Sequence, residues 1–120
     1  MLSGLDLLIF DLQDIGVRYY TYISTMTLAM EAAAEKGIPI WVLDRLNPLG
    51  TDINGPVLDI EFSSFVGMHP VPIVHGMTIG EYAKMINGEK WISNSCDLTV
   101  ILMENYNHST VYNLPIKPSP

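Results

Sequence analysis

At 120 residues, with 48% apolar and 16% charged side chains, the chain is one globular domain's worth of polypeptide, able to bury roughly two-thirds of its unfolded surface. The formal net charge of −7 argues against nucleic acid and anionic membranes as partners and says nothing about fold. With Cys96 as the lone cysteine, neither an internal disulfide nor a cysteine-based zinc site is available.

The opening, MLSGLDLLIF, has no basic leader-type start, and its apolar run is too short for a signal peptide or a membrane span. Residues 7–10 (LLIF) form an apolar run that stops at Asp11, which reads as a fully buried strand. Just past it come Gln13, Asp14, Gly16, Arg18, Tyr19, Tyr20 and Tyr22, a density of carboxylate, guanidinium and phenol that marks a candidate site. The bland alternative has Asp14 capping a turn, Arg18 pairing with a carboxylate and the tyrosines filling core.

Residues 22–36 carry Ile23, Met26, Met30 and Ala34 at helical spacing on an alanine-rich background. Gly37 sits where a left-handed C-cap belongs, and Pro39 follows. Residues 39–43 (PIWVL) read as a second buried strand ended by Asp44 and Arg45, so strand, helix and strand make a right-handed βαβ unit. Residues 45–70 are irregular, with a short helical turn expected within 58–65; long irregular connections are often functional. Residues 71–74 (VPIV) suggest a short third strand, at an edge or irregular position because Pro72 removes a ladder donor.

Thr78 and Glu81 make a capping box that opens a helix through Asn87, with Gly88 as its close. Residues 98–103 (LTVILM) read as a fourth strand, followed by Glu104. Four expected strands thus end on Asp11, Asp44, His75 and Glu104, which an open parallel sheet would set along the edge where ligands bind. The ends of the chain read as those of a fragment, since it enters a strand at once and stops at Lys117-Pro118-Ser119-Pro120.

Several chemistries lack their motifs. Only Gly16 lies between Asp11 and the first helix, and there is no Walker-type GK[ST], which disfavours dinucleotides and ATP. No GxSxG elbow occurs, and Cys96 precedes a strand and reads as a small buried apolar residue. Asn107-His108-Ser109 matches a glycosylation sequon that means little alone. Asp11, Asp14, Asp44 and His75 could be drawn into a metal site, but no HxH, HExxH or DxD pattern supports one. Glycoside hydrolysis remains: it asks for paired carboxyl groups, which Asp11, Asp14 and Asp44 can supply, with Tyr20, Tyr22 and Trp41 to meet a sugar.

The run Asp11-Leu-Gln13-Asp14-Ile-Gly16-Val-Arg18-Tyr-Tyr20-Thr21-Tyr22 resembles the D-[IL]-Q-D-x-G-x-R-[FY]-Y-T-Y signature of the NamZ-type exo-β-N-acetylmuramidases. Asp44-Arg45-Leu-Asn47-Pro48-Leu-Gly50 is similar to that family's D-R-x-N-P-x-G segment. Asn54-Gly55-Pro56, Ser64-Phe65-Val-Gly67, His75-Gly76-Met77-Thr78-Ile-Gly80-Glu81 and the closing Pro118-Ser119-Pro120 fit in order.

The resemblance implies an α/β, Rossmann-like fold with a mostly parallel sheet flanked by helices in a doubly wound arrangement. Residues 1–120 would be part of an N-terminal domain. An upstream segment with a P-E-H-G-like catalytic glutamate and a smaller C-terminal domain across the cleft would lie outside them. It implies release of N-acetylmuramic acid from the non-reducing end of peptidoglycan fragments, in bacterial cell-wall recycling, with no cofactor and a muramic-acid-containing glycan as the partner. On this reading Asp11 and Asp14 are the catalytic carboxylates within the chain. Gln13, Arg18, Tyr20, Tyr22, Asp44, Arg45, Asn47, His75 and Thr78 bind substrate, with Arg18 or the helix start at Thr78 receiving the lactyl carboxylate. A non-catalytic glycan-binding module and a metal-dependent hydrolase of another ester or phosphate are the alternatives. Compartment is left open.

Overall fold

A computed structural model of the chain describes residues 2–110. The order of elements is β1 (Leu8–Phe10), α1 (Tyr22–Lys36), β2 (Ile40–Leu43), β3 (Ile53–Asn54), a single 3-10 turn (Ile60–Phe62), β4 (Val74–His75), α2 (Ile79–Gly88) and β5 (Leu98–Ile101). The terminal Pro118-Ser119-Pro120 motif lies outside the described residues.

A three-stranded parallel sheet in the order β1-β2-β5 forms the centre. Leu8 and Phe10 sit opposite Ile40 and Val42, which sit opposite Leu98 and Val100. These alternate residues share one face, because a strand's side chains alternate. Against that face pack Ile23, Met26, Met30 and Ala33 of α1 and Ile79, Tyr82, Ala83 and Ile86 of α2, which form one buried cluster with Phe10, Ile40 and Val42. Each large member contributes about 1.5–3 kcal/mol by leaving water, so this layer holds the rim above it in place.

α1 has the bounds its periodicity predicts. Gly37 closes it in the left-handed region (φ 65°), its N–H donating to Ala33 O and Ala34 O. α2 opens on the expected capping box: Glu81 N donates to Thr78 Oγ1 at 3.2 Å and Thr78 N donates to Glu81 Oε2 at 2.9 Å. Gly88 does not cap α2. It is the last helical residue, and Glu89 follows in right-handed geometry.

The expected third strand is corrected by the structure. Residues 71–74 do not join the parallel sheet; Val74–His75 instead pairs antiparallel with Ile53–Asn54 in a separate two-stranded ribbon. Pro72 has no N–H to give a ladder, and the backbone there is already engaged with other loops, Leu58 N donating to Val71 O and Arg18 N to Ile73 O. The last strand is also shorter than expected, ending at Ile101 rather than 103.

The doubly wound arrangement is not reached among the described residues. The order β1-β2-β5 advances in one direction, and right-handed crossovers then put both helices on the same face.

Candidate functional site

The signature residues gather where β1 and β2 end. Asp11 and Arg45, the residues just beyond β1 and two beyond β2, form an exposed ion pair: Arg45 Nε and Nη2 both donate to Asp11 Oδ1, at 2.8 and 2.5 Å. Gln13 crosses the same gap, its Nε2 donating to Leu46 O at 2.9 Å. The loop after β1 is thereby tied to the loop after β2 by one charged and one neutral bridge.

Asp14 behaves differently. It is buried, its Oδ2 accepting from Gly16 N at 2.8 Å and lying 3.3 Å from His75 Nε2. His75 Nδ1 accepts from Met77 N at 3.3 Å, so the ring's proton sits on Nε2 and faces Asp14. The pairing falls short of hydrogen-bond geometry, and Asp14 Oδ1 and His75 Nε2 are both buried without a partner. His75 also presents its ring edge-to-face to Tyr82, whose phenol burial pushes far above its ordinary range.

Gly16 shows why this loop needs a glycine. Its φ is +84°, and a Cβ there would lie 2.2 Å from Asn47 Oδ1. Asn47 cannot yield easily, because it is buried, donates through Nδ2 to Met77 O at 3.1 Å and accepts from Leu49 N at 2.9 Å. Asn47 is a bracket between three loops.

Arg18 does not meet a carboxylate. Its Nη1 donates to Pro56 O at 2.8 Å and Val71 O at 2.7 Å, fastening the irregular connection to the rim. The start of α2 is likewise engaged: Gly80 N donates to Asp44 Oδ1 at 2.8 Å and Thr78 Oγ1 to Asp44 Oδ2 at 3.1 Å. Asp44 therefore serves as the anion that the positive end of α2 favours. It comes this close because residue 80 is glycine; a Cβ would lie 2.7 Å from Asp44 Cγ.

Tyr20 and Tyr22 stand exposed just before and at the start of α1, edge-to-face with ring centroids 4.9 Å apart. Slight desolvation, then Tyr22 and the Asp14 charge, raise the Tyr20 phenol above its ordinary range. Trp41 lies on the sheet face away from the helices rather than with the tyrosines. Glu104 is exposed and three residues beyond β5.

Two adjoining hollows flank the carboxyl end of β2. One, of about 290 Å³, is lined by Asn47, Gly50, Thr51 and His108; the other, of about 250 Å³, by Asp44, Glu81, Lys84, Tyr106 and His108. His108 divides them, its Nε2 being 2.7 Å from Glu81 Oε1. Desolvation, then Glu81 and Asp44, raises the Tyr106 phenol. His108 and Tyr106 carried no signal in the sequence beyond a sequon, because their approach to Glu81 depends on the turn after β5. No group of three His, Cys, Asp or Glu side chains among the described residues is placed to hold a metal ion.

The geometry thus brings Asp11, Gln13, Asp14, Asp44, Arg45, Asn47, His75 and Thr78 to one rim, with Arg18 and the tyrosines beside it. The sequence pattern of the family described as exo-β-N-acetylmuramidase NamZ, N-terminal, matches residues 1–120. The chain is 51% identical over 125 residues to the peptidoglycan β-N-acetylmuramidase NamZ of Bacillus subtilis (strain 168), covering 100% of this chain and 30% of that protein. Two crystal structures of DUF1343 family proteins from Bacteroides fragilis NCTC 9343 are similar. One superposes with a TM-score of 0.89 at 54% identity over 96% of this chain and 33% of that one. The other gives 0.88 at 46% identity over 92% and 29%. The chain therefore spans about a third of the length of the relatives it matches.

Proposed function

This chain belongs to the NamZ N-terminal family, and from that premise we propose that it forms one wall of a glycosidase cleft. That cleft releases N-acetylmuramic acid from the non-reducing end of peptidoglycan fragments. The observation that carries the reading is Asp11, an exposed carboxylate at the carboxyl end of the sheet whose orientation is fixed by two hydrogen bonds from Arg45. A glycosidase needs a carboxylate that reaches solvent and sugar yet is held in one rotamer.

The remaining residues take their parts from their contacts. Asp14 is a positioning residue: buried, it accepts from Gly16 N and holds that loop beneath the rim, with the His75 ring beside it. Tyr20 and Tyr22 line the subsite, and Gln13, Asn47 and Arg45 keep the two loops in register. Of the two groups expected to receive the lactyl carboxylate, the start of α2 would first have to release Asp44. Arg18 is therefore the better receiver, through Nε and Nη2, since its Nη1 is engaged. With Asp14 buried, the second carboxyl group of the pair comes from elsewhere in the longer polypeptide, and the isolated chain lacks turnover.

The test is hydrolysis of a chromogenic N-acetylmuramide by the full-length protein, with a chromogenic N-acetylglucosaminide beside it. The reading predicts turnover of the first that persists in chelator and is far weaker with the second. Binding without turnover would leave a glycan-binding module, and loss of activity in chelator would leave a metal-dependent hydrolase.

A further inference from the structure

Away from the rim, a third hollow, of about 750 Å³, lies toward the far ends of the two helices. Glu31 and Trp91 mark its place. Glu31 stands well along α1, about 14 Å from the end that meets the rim, and Trp91 follows the last turn of α2. The irregular connection supplies further wall through the apolar Leu58, Ile60 and Met68 and the polar Asp59, Ser63 and His69.

His69 is the member that packing alone does not explain. The residue is only 5% exposed, and its Nε2 lies 2.9 Å from Thr27 Oγ1. The Thr27 hydroxyl gives its hydrogen to Ile23 O, so Nε2 carries the ring proton. Burial lowers the pKa of the ring to about 4, which leaves it neutral at pH 7 and Nδ1 a bare acceptor. Nδ1 has no partner among the described residues, and the ring it belongs to lines the hollow. A buried acceptor in that condition is uncommon and points to a donor from outside.

The other polar groups are of the same kind. Ser63 Oγ donates to Met68 O at 3.0 Å, so only its lone pairs remain to be used. Asp59 Oδ1 accepts from Glu61 N at 3.2 Å and Glu31 Oε1 from Ser93 Oγ at 3.0 Å, and the second oxygen of each has no partner among the described residues. Neither Lys nor Arg lines the hollow. Acceptors with two negative charges among them select a ligand that donates and carries positive charge. A bare metal ion does not answer, because no three such groups among the described residues stand close enough to share one. The apolar wall of Leu58, Ile60, Met68 and Trp91 calls for methylenes as well as charge.

We propose that this hollow binds a primary ammonium group on an aliphatic stem, the ammonium set among Glu31, Asp59 and His69 Nδ1 and the methylenes against Trp91 and Leu58. A lysine side chain of a peptide and a free alkyl diamine share that chemistry. The site lies apart from the rim and owes nothing to the glycosidase reading, so turnover and amine binding succeed or fail separately.

Titration calorimetry on the full-length protein in phosphate buffer at pH 7 tests it, with cadaverine as the free amine and Nα-acetyl-lysine amide as the peptide-borne one. At least one should bind saturably with a Kd of about 1 mM or tighter, and which of them does tells the two sources apart. Acetylating Nε of the lysine probe, or the two amines of cadaverine, removes the charge and should weaken binding at least about 10-fold. The double variant Glu31→Gln, Asp59→Asn keeps acceptors for Ser93 and Glu61 N and should lose at least about 10-fold in affinity while folding as the wild type does. In the wild type the bound amine should shift the NMR signals of the His69 ring. No saturable binding by either amine, equal binding of the acetylated probes, unchanged affinity in the double variant, or unmoved His69 signals would each overturn the proposal.

Discussion

The most quantitative consequence of the fold concerns His69, outside the rim. Its ring is buried, stacked on Trp91 with centroids 4.5 Å apart and planes 14° from parallel. Thr27 Oγ1 donates its own hydrogen to Ile23 O, so it can only accept from His69 Nε2, 2.9 Å away. Nε2 thus carries a proton, and burial, which disfavours the charged ring, holds its pKa down from 6.5 to about 4. The unfolded chain binds a proton at this site below pH 6.5 while the folded chain refuses it until about pH 4. Stability is therefore complete above pH 6.5 and is lost as pH falls through that window. At about 1.4 kcal/mol per pH unit the full effect is about 3–4 kcal/mol, most of which is lost by pH 4.5. Urea unfolding of the full-length protein and of His69→Gln, from pH 7.5 to 4.5, isolates this part from the titration of carboxylates common to both. The wild type should lose about 2–3 kcal/mol more than the variant over that range. An NMR titration should place the His69 ring near 4. Parallel stability curves, or a ring titrating near 6.5, would refute the burial argument.

Two further variants probe the rim. Gly16→Ala must place a Cβ at positive φ and expel Asn47 from its two partly buried hydrogen bonds, a loss of about 2–5 kcal/mol; in an Asn47→Gly background the same change should cost only about 1–2 kcal/mol, and equal costs in both would show that the contact is not the cause. Arg18→Ala in the full-length protein should reduce the preference for muramic acid over glucosamine substrates, read as a ratio of kcat/KM values. An unchanged ratio removes Arg18 from that role.

Much of the frame was readable in the residues themselves. Apolar runs ending abruptly at Asp11 and Asp44 report strands whose followers share an edge, and the helix of Tyr22–Lys36 is written in its spacing and in Gly37. The capping box at Thr78 and Glu81 is local chemistry and needs no fold to be seen. What resisted reading was non-local. VPIV has the composition of a strand, but its backbone partners are the loops of Leu58 and Arg18 and the two-residue strand of Ile53–Asn54, which no periodicity announces. Asp44 was legible as a polar strand end, yet its engagement by Gly80 and Thr78 depends on α2 docking beside β2. The charge of Arg18 is visible in sequence, but its second duty, fastening the irregular connection through the carbonyls of Pro56 and Val71, is not. The burial of Asp14 beside His75 follows from the Val17–Val74 bridge, a contact between segments more than fifty residues apart.

Asp11 is the point on which the functional account turns. Asp11→Asn keeps an acceptor for Arg45 and removes the charge, and the exposed ion pair it alters contributes only about 0–1 kcal/mol to stability. Measured on a chromogenic N-acetylmuramide with the full-length protein, this variant should fold as the wild type does and lose at least about 100-fold in kcat. A variant that turns over at the wild-type rate would contradict the claim that this rim carboxylate takes part in the chemistry.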